Sequence, residues 1–191
     1  RDSMIKEHAQ LVKRNTWRLV PRRKIPKGKT IIPAVWRFKY KTEYGRIIEL
    51  KSRGCAGGHR QVAEKDYGAS YAPTTRFSNV RAILSIGTQE EHFSEQADIE
   101  GAFLYPYLEG HFEGSHYVPK YEIYMMPFQG FETYDETGDL LVCMLLKGMY
   151  GLVQAAMLWN KQLVKFFHAN DFYQCHSDPC LFISRKHLND N

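Results

Sequence analysis

Long apolar runs are absent from this 191-residue chain. The longest, Leu140 to Leu146, falls far short of the roughly 20 residues that a membrane span needs. Arg1 to Gln10 carry charge but no apolar stretch of the kind that marks a secretory signal. Cysteine is scarce, with four residues, so a disulfide framework is excluded as the organising principle. Cys175, His176, Cys180 and His187 can be drawn as a metal cluster, but their spacing matches no zinc pattern and Cys180 lies in an apolar, strand-like run. Buried thiols and incidental histidines are the expectation. Acidic residues are the minority, 21 Asp and Glu against 26 Lys and Arg, for a net charge of +5. That balance leans weakly toward an anionic partner. Repeats and low-complexity tracts are missing, and no two aspartates are adjacent. The first residue is Arg rather than Met, so the chain reads as a piece of something longer unless translation starts at Met4.

What is present suffices for a core. Hydrophobic residues make up 43% and aromatics 14%, enough for one domain or two sublobes sharing a core. Ile5, Ala9 and Val12 recur at helical spacing and predict a helix over 3–14 capped by Ser3. Trp17 to Val20 reads as extended, and Pro21 to Lys29 as a basic loop. Val35 to Lys41 alternates strictly, with Trp36, Phe38 and Tyr40 on one face and Arg37, Lys39 and Lys41 on the other. A turn at Thr42 to Gly45 and a return strand with Lys51 and Arg53 on one face complete a β-hairpin over 35–53. Taken alone, that pattern suits a solvated outer face over a buried inner one.

Residues 54–78 predict a long loop, which in compact domains is functional or mobile. A helix over about 78–90 follows, then an extended stretch from Phe93 to Ile99 that delivers Asp98. Residues 110–120 read as an inserted surface loop, and Tyr121 to Met126 as a strand. Leu140 to Leu146 reads as a strand buried on both faces. Ala155 to Ala169 predicts a helix with Trp159, Leu163 and Phe166 inward, and Phe172 to Gln174 and Cys180 to Ser184 are the last strands. Irregular alternation of strands and helices argues for an α+β fold.

Ordered motifs then carry a resemblance over nearly the whole chain. They begin with Asn15-Thr16-Trp17-Arg18-Leu19-Val20, Trp36 to Lys41 with Gly45, and Lys51-Ser52-Arg53. Gln61, Asp66-Tyr67, Tyr71-Ala72-Pro73, Arg76 and Arg81 continue the series, followed by Asp98-Ile99 with Ala102-Phe103-Leu104. Ile123-Tyr124-Met125, Pro127, Gly130-Phe131, Tyr150-Gly151-Leu152, Gln154, Trp159 and Asp178-Pro179-Cys180-Leu181-Phe182 complete it. In this order the sequence resembles the reverse transcriptase, an RNA-directed DNA polymerase, of copia-type long-terminal-repeat retrotransposons.

The resemblance implies a right-hand polymerase fold, here fingers plus a partial palm with the thumb absent. Residues 1–85 and 111–153 would be fingers, 86–110 the palm segment carrying Asp98, and 154–191 further palm. Asp98 would be catalytic and, with the backbone carbonyl of Ile99, a ligand of Mg²⁺, of which the intact enzyme would hold two. Phe103 would lie under the sugar and reject a 2′-hydroxyl, although a phenylalanine beside Leu104 also suits a core position. Lys51 and Arg53 would grip the triphosphate. Gln154 would touch the incoming nucleotide, or would simply be a polar residue at a helix start. Arg37, Lys39 and Lys41 would follow template phosphates. Implied partners are an RNA or DNA template-primer, dNTPs and the remainder of a polyprotein, in a cytoplasmic virus-like particle and without a membrane.

Departures from the family pattern set further expectations. The family's Tyr-Val-Asp-Asp does not occur, so the chain by itself is expected not to polymerise DNA. A noncatalytic basic fragment that binds nucleic acid, or a degenerate relic, is the alternative. Where the family has Arg-Leu-Val-Ala-Lys-Gly, Arg53-Gly54-Cys55-Ala56-Gly57-Gly58 stands here, and a looser exit from the hairpin is expected.

Overall fold

A computed structural model describes residues 1–185. In chain order its elements are α1 (Asp2–Lys13), β1 (Trp17–Pro21), β2 (Ile31–Ile32), β3 (Ala34–Glu43), β4 (Arg46–Ala56), α2 (Phe77–Gln89), β5 (Gly110–Glu113), β6 (His116–Pro119), β7 (Tyr124–Met125), β8 (Leu141–Leu145), α3 (Ala155–Ala169), β9 (Phe172–Gln174) and β10 (Phe182–Ser184). This is a mixed α+β chain, as the irregular alternation implied. It divides into two compact units, Arg1–Ser70 with Phe103–Trp159, and Tyr71–Ala102 with Asn160–Asn191. Among the described residues no helix is long and apolar enough to cross a membrane.

The first unit is built on a four-stranded sheet of order β1-β8-β7-β2. The apolar run at its centre explains the arrangement. Cys143 and Leu145 of β8 enter the main core, while Val142 and Met144 enter a second cluster with Tyr124 on the opposite face. A strand covered on both sides has no use for alternation, which is why its sequence is continuously apolar. Burial pushes the Cys143 thiol up to about 12. Cys55, Cys175 and Cys180 are only half-buried, so the buried-thiol expectation holds for Cys143 alone. The main core also takes Leu11 from α1, Phe128, Leu152 from the connection before α3, and Leu158 from the start of α3. Each fully buried side chain of this size contributes about 1.5–3 kcal/mol.

Two expectations are corrected in this unit. Ser3 does not cap α1: the helix begins after Arg1 without a side-chain cap, and the Ser3 hydroxyl bonds that of Ser52 in β4 at 2.6 Å. Residues 110–120 are not a surface loop but the antiparallel hairpin β5–β6. Its organising contact is aromatic: Tyr117 is buried, its ring centroid lies 4.5 Å from that of Tyr107, and its hydroxyl donates to the Leu108 carbonyl. The polar residues around Tyr117 hid that anchor from sequence periodicity.

In the second unit, among the described residues, α2 buries none of its side chains. The expected extended stretch over 93–99 forms no strand; it is irregular and exposed, with Phe93 bare. In the second half of α3 the inward ring is Phe167 rather than Phe166. Phe167 stacks on Phe182 at 4.4 Å and meets Phe172 at 5.3 Å, whereas Phe166 is exposed. From Leu163 the helix reaches both positions at permitted spacing, and the β9–β10 hairpin selects the one four residues on.

Asp178 organises this unit. Its carboxylate accepts from the Thr75 hydroxyl at 3.1 Å, the Arg76 N–H at 3.3 Å, the Asn79 amide at 2.6 Å and the Cys180 N–H at 2.8 Å. It therefore caps α2, which has no capping side chain of its own. The Cys180 N–H, with the Asn79 amide, holds the carboxyl below its ordinary value. The ionised form is thus the one that folding favours, and its stabilisation is lost as pH falls through the depressed value. Asp178→Asn is expected to lower thermal stability at neutral pH and to flatten the further loss of stability below about pH 4. Circular-dichroism melts across that range check this, and parallel pH profiles for both proteins would contradict it.

Candidate functional site

The hairpin β3–β4 stands in antiparallel register with Arg37 opposite Arg53, Lys39 opposite Lys51 and Lys41 opposite Glu49. These side chains share one face, as the alternation predicted. Like charges set directly opposite are destabilising unless something anionic meets them. Within the hairpin the compensation is slight: Lys51 reaches Glu49 at 3.7 Å, with both side chains largely exposed. The other face differs from expectation. Trp36 packs on Phe128 with centroids 4.6 Å apart, but Phe38, Tyr40, Ile48 and Leu50 are exposed. Among the described residues the ribbon is docked at its root, and its apolar face beyond Trp36 is exposed.

The root is held more firmly than the glycines suggested. β4 runs on through Gly54 and Cys55 to Ala56, and the expected loosening does not occur. Gly54 is buried because a Cβ there would lie 2.8 Å from the Phe128 ring and 3.0 Å from Leu11. Its N–H donates to the Glu7 carboxylate at 3.0 Å. Two bare backbones then cross. The Ala56 N–H donates to the Tyr150 carbonyl at 2.7 Å. Gly151, with φ +90°, lies so close that a Cβ would fall 2.1 Å from the Ala56 carbonyl oxygen. A Cβ on Gly58 would fall 2.0 Å from the Gly151 carbonyl oxygen. Loss of side chains here creates contact rather than slack.

The crossing brings three side chains into line. The Arg53 guanidinium lies over the Tyr150 ring, 4.3 Å from its centroid. The Tyr150 ring meets Phe103 edge to face at 5.2 Å. Arg53 is exposed, and the two rings are half-buried. Close by in sequence, Gln154 is buried, and its side-chain oxygen accepts from the Gln61 amide at 3.1 Å. The Gln61 oxygen in turn accepts from the Val153 N–H at 2.9 Å, which fixes the orientation of both amides. Gln154 also lines a small recess with Tyr67, Gly68, Leu108, Tyr121 and Met157. Burial pushes the Cys55 thiol up despite the nearby Arg53 and Arg37, so it is not an activated nucleophile.

Asp98 and Ile99 belong to the second unit, where both are exposed in the irregular segment before Phe103. Among the described residues no three His, Cys, Asp or Glu side chains gather to hold a metal ion. His187, the last member of the drawn Cys/His cluster, lies outside the described residues.

Comparison with known proteins now decides the family. Residues 14–189 match the family described as reverse transcriptase (RNA-dependent DNA polymerase). The chain belongs to that family. It is 30% identical over 184 residues to the retrovirus-related Pol polyprotein from transposon TNT 1-94 of Nicotiana tabacum, covering 96% of this chain and 13% of that protein. It is 28% identical over 188 residues to the polyprotein from transposon RE1 of Arabidopsis thaliana, covering 97% of this chain and 12% of that protein. The chain therefore spans about an eighth of the length of these curated relatives. No solved structure matches it. The resemblance to copia-type elements read from ordered motifs is borne out.

Within this reverse transcriptase chain, Arg53 and Phe103 are joined through one ring, and Lys51 shares the hairpin face of Arg53. Gln154 is held by a partner that motif reading named without assigning a role. Gln61 and Tyr150, which contact the candidate residues Gln154 and Arg53, were not among the residues expected there. Both stood in the ordered motif series, and that was the available signal. Gly151→Ala is expected to destabilise the first unit by about 3 kcal/mol or more, since a positive φ and a backbone clash coincide there. Urea unfolding of the two proteins measures it, and equal midpoints would contradict it.

Proposed function

We propose that this chain is the nucleotide- and template-gripping part of a retrotransposon reverse transcriptase, with 1–85 and 111–153 as fingers and 86–110 and 154–191 as palm. In the intact polyprotein it would serve primer extension with dNTPs inside a cytoplasmic virus-like particle. The observation that carries this reading is the cluster of Arg53, Tyr150 and Phe103 at the root of a hairpin whose one face is cationic. A triphosphate bears several charges, and a planar guanidinium with an adjacent ammonium meets them as fork and point charge. Phe103 offers an apolar surface where a 2′-hydroxyl would be sterically refused. Gln154, oriented by Gln61, offers a fixed amide four residues after Tyr150. Arg37, Lys39 and Lys41 continue the positive face outward for a template strand.

The chemistry of transfer needs more than these residues. Family members use divalent Mg²⁺, and such ions want several carboxylate oxygens. Asp98 with the Ile99 carbonyl is an incomplete set, and no second aspartate adjoins another in the sequence. We therefore assign this chain binding and positioning. A purified sample that extends a primer in Mg²⁺ would overturn that division of labour.

Lys51→Ala with Arg53→Ala is expected to weaken dNTP binding about tenfold or more, since charge-assisted contacts are worth about 1.5–3 kcal/mol. Lys39→Ala with Lys41→Ala is expected to leave dNTP binding nearly intact and to shallow the salt dependence of primer–template binding by about 0.7 for each phosphate no longer neutralised. Titrations at two or more salt concentrations check both. Binding of nucleic acid but not dNTP by the unmodified chain would favour the noncatalytic alternative.

A further inference from the structure

We infer that Tyr150 is a positioning residue whose ring couples the triphosphate-gripping Arg53 to the sugar-facing Phe103, so that one side chain sets both affinity and sugar selectivity; this rests on the nucleotide-site reading above. Three observations carry it. First, the same ring takes the Arg53 guanidinium at 4.3 Å and the Phe103 ring at 5.2 Å. Second, Tyr150 has little freedom at its backbone, where its carbonyl accepts from Ala56 at 2.7 Å and the following Gly151 is pressed against the Ala56 carbonyl. Third, Phe103 is tied to the same connection, because a Cβ on Gly148 would fall 2.5 Å from the Phe103 carbonyl oxygen. Arg53 and Phe103 come from segments far apart in sequence, and Tyr150 is the side chain that touches both.

The ring acts by preorganisation. An exposed arginine has many rotamers, and a ring beneath the guanidinium removes most of them before the anion arrives. The edge of that ring also limits how far Phe103 can tilt, and a fixed wall rejects an extra hydroxyl better than a mobile one. Truncating Tyr150 frees both neighbours at once. A residue that merely filled space would weaken all nucleotides alike.

The test uses the full chain and calorimetric titration with dGTP and GTP in Mg²⁺ buffer. Tyr150→Ala is expected to weaken dGTP about tenfold and to shrink the dGTP-to-GTP preference at least about fivefold. Tyr150→Phe keeps the ring, and its preference should return to within about twofold of the unmodified value. Tyr150→Leu covers the case in which the alanine variant does not fold; it fills the volume without a ring and should lose the preference as alanine does. Arg53→Lys combined with Tyr150→Leu should be less than additive. An unchanged dGTP-to-GTP preference in the leucine and alanine variants, with dGTP still bound by the unmodified chain, overturns the inference and leaves the nucleotide site standing. No dGTP binding by the unmodified chain overturns both.

Discussion

The first unit depends on a crossing of two peptide backbones with no side chain between them. At Ala56 to Gly58 and at Tyr150 to Gly151 the chain passes within hydrogen-bonding reach of itself. Carbonyl oxygens occupy the places where β-carbons would otherwise be. The geometry requires glycine at Gly151, because its φ lies in the left-handed region and its Cβ direction is blocked. Most of the proposed nucleotide site in this unit hangs from the crossing: the hairpin root with Arg53 on one side, and on the other the Tyr150 ring that holds Arg53 and meets Phe103.

Much of this was legible in the sequence, and for identifiable reasons. Strict alternation in β3 and β4 implied the cationic face, and the structure keeps Arg37, Lys39, Lys51 and Arg53 together on it. A continuous apolar run implied a central strand, and β8 is central. Helices α2 and α3 fell where their periodicity placed them. Three of the failures share a cause. Ser3, Phe166 and the residues around Tyr117 were judged from local spacing, whereas the partner that decided each lies outside the element concerned: Ser52, Phe182 and Tyr107. The glycines after Arg53 were read as weakness because composition carries no information about what presses against them.

Electrostatics separates the hairpin from the rest of the unit. Away from the hairpin, Arg23 is matched twice over: it meets Asp135 at 2.8 Å and Asp139 at 3.3 Å around a turn. There the Asp135 carboxyl, bonded first by the Thr137 hydroxyl, is held well below the usual range. On the hairpin the cations face one another across the ladder, with Glu49 as a weak counter-charge to Lys51. Such an arrangement costs folding stability, which accords with the anion-binding role proposed for this face.

The ribbon is also a cantilever. It is clamped at Trp36, Ser52 and Gly54, while the span from Arg37 to Lys51 leans on little but its own partner strand. Bending and twisting of the span are borne at the clamp, and the tip around Tyr44 and Gly45 stands in open space. Changes in length at that tip would alter how far the ribbon reaches along the nucleic acid proposed to lie on it, while leaving the seat of Arg53 where it is. Variation in reach and constancy of grip are thereby made mechanically independent.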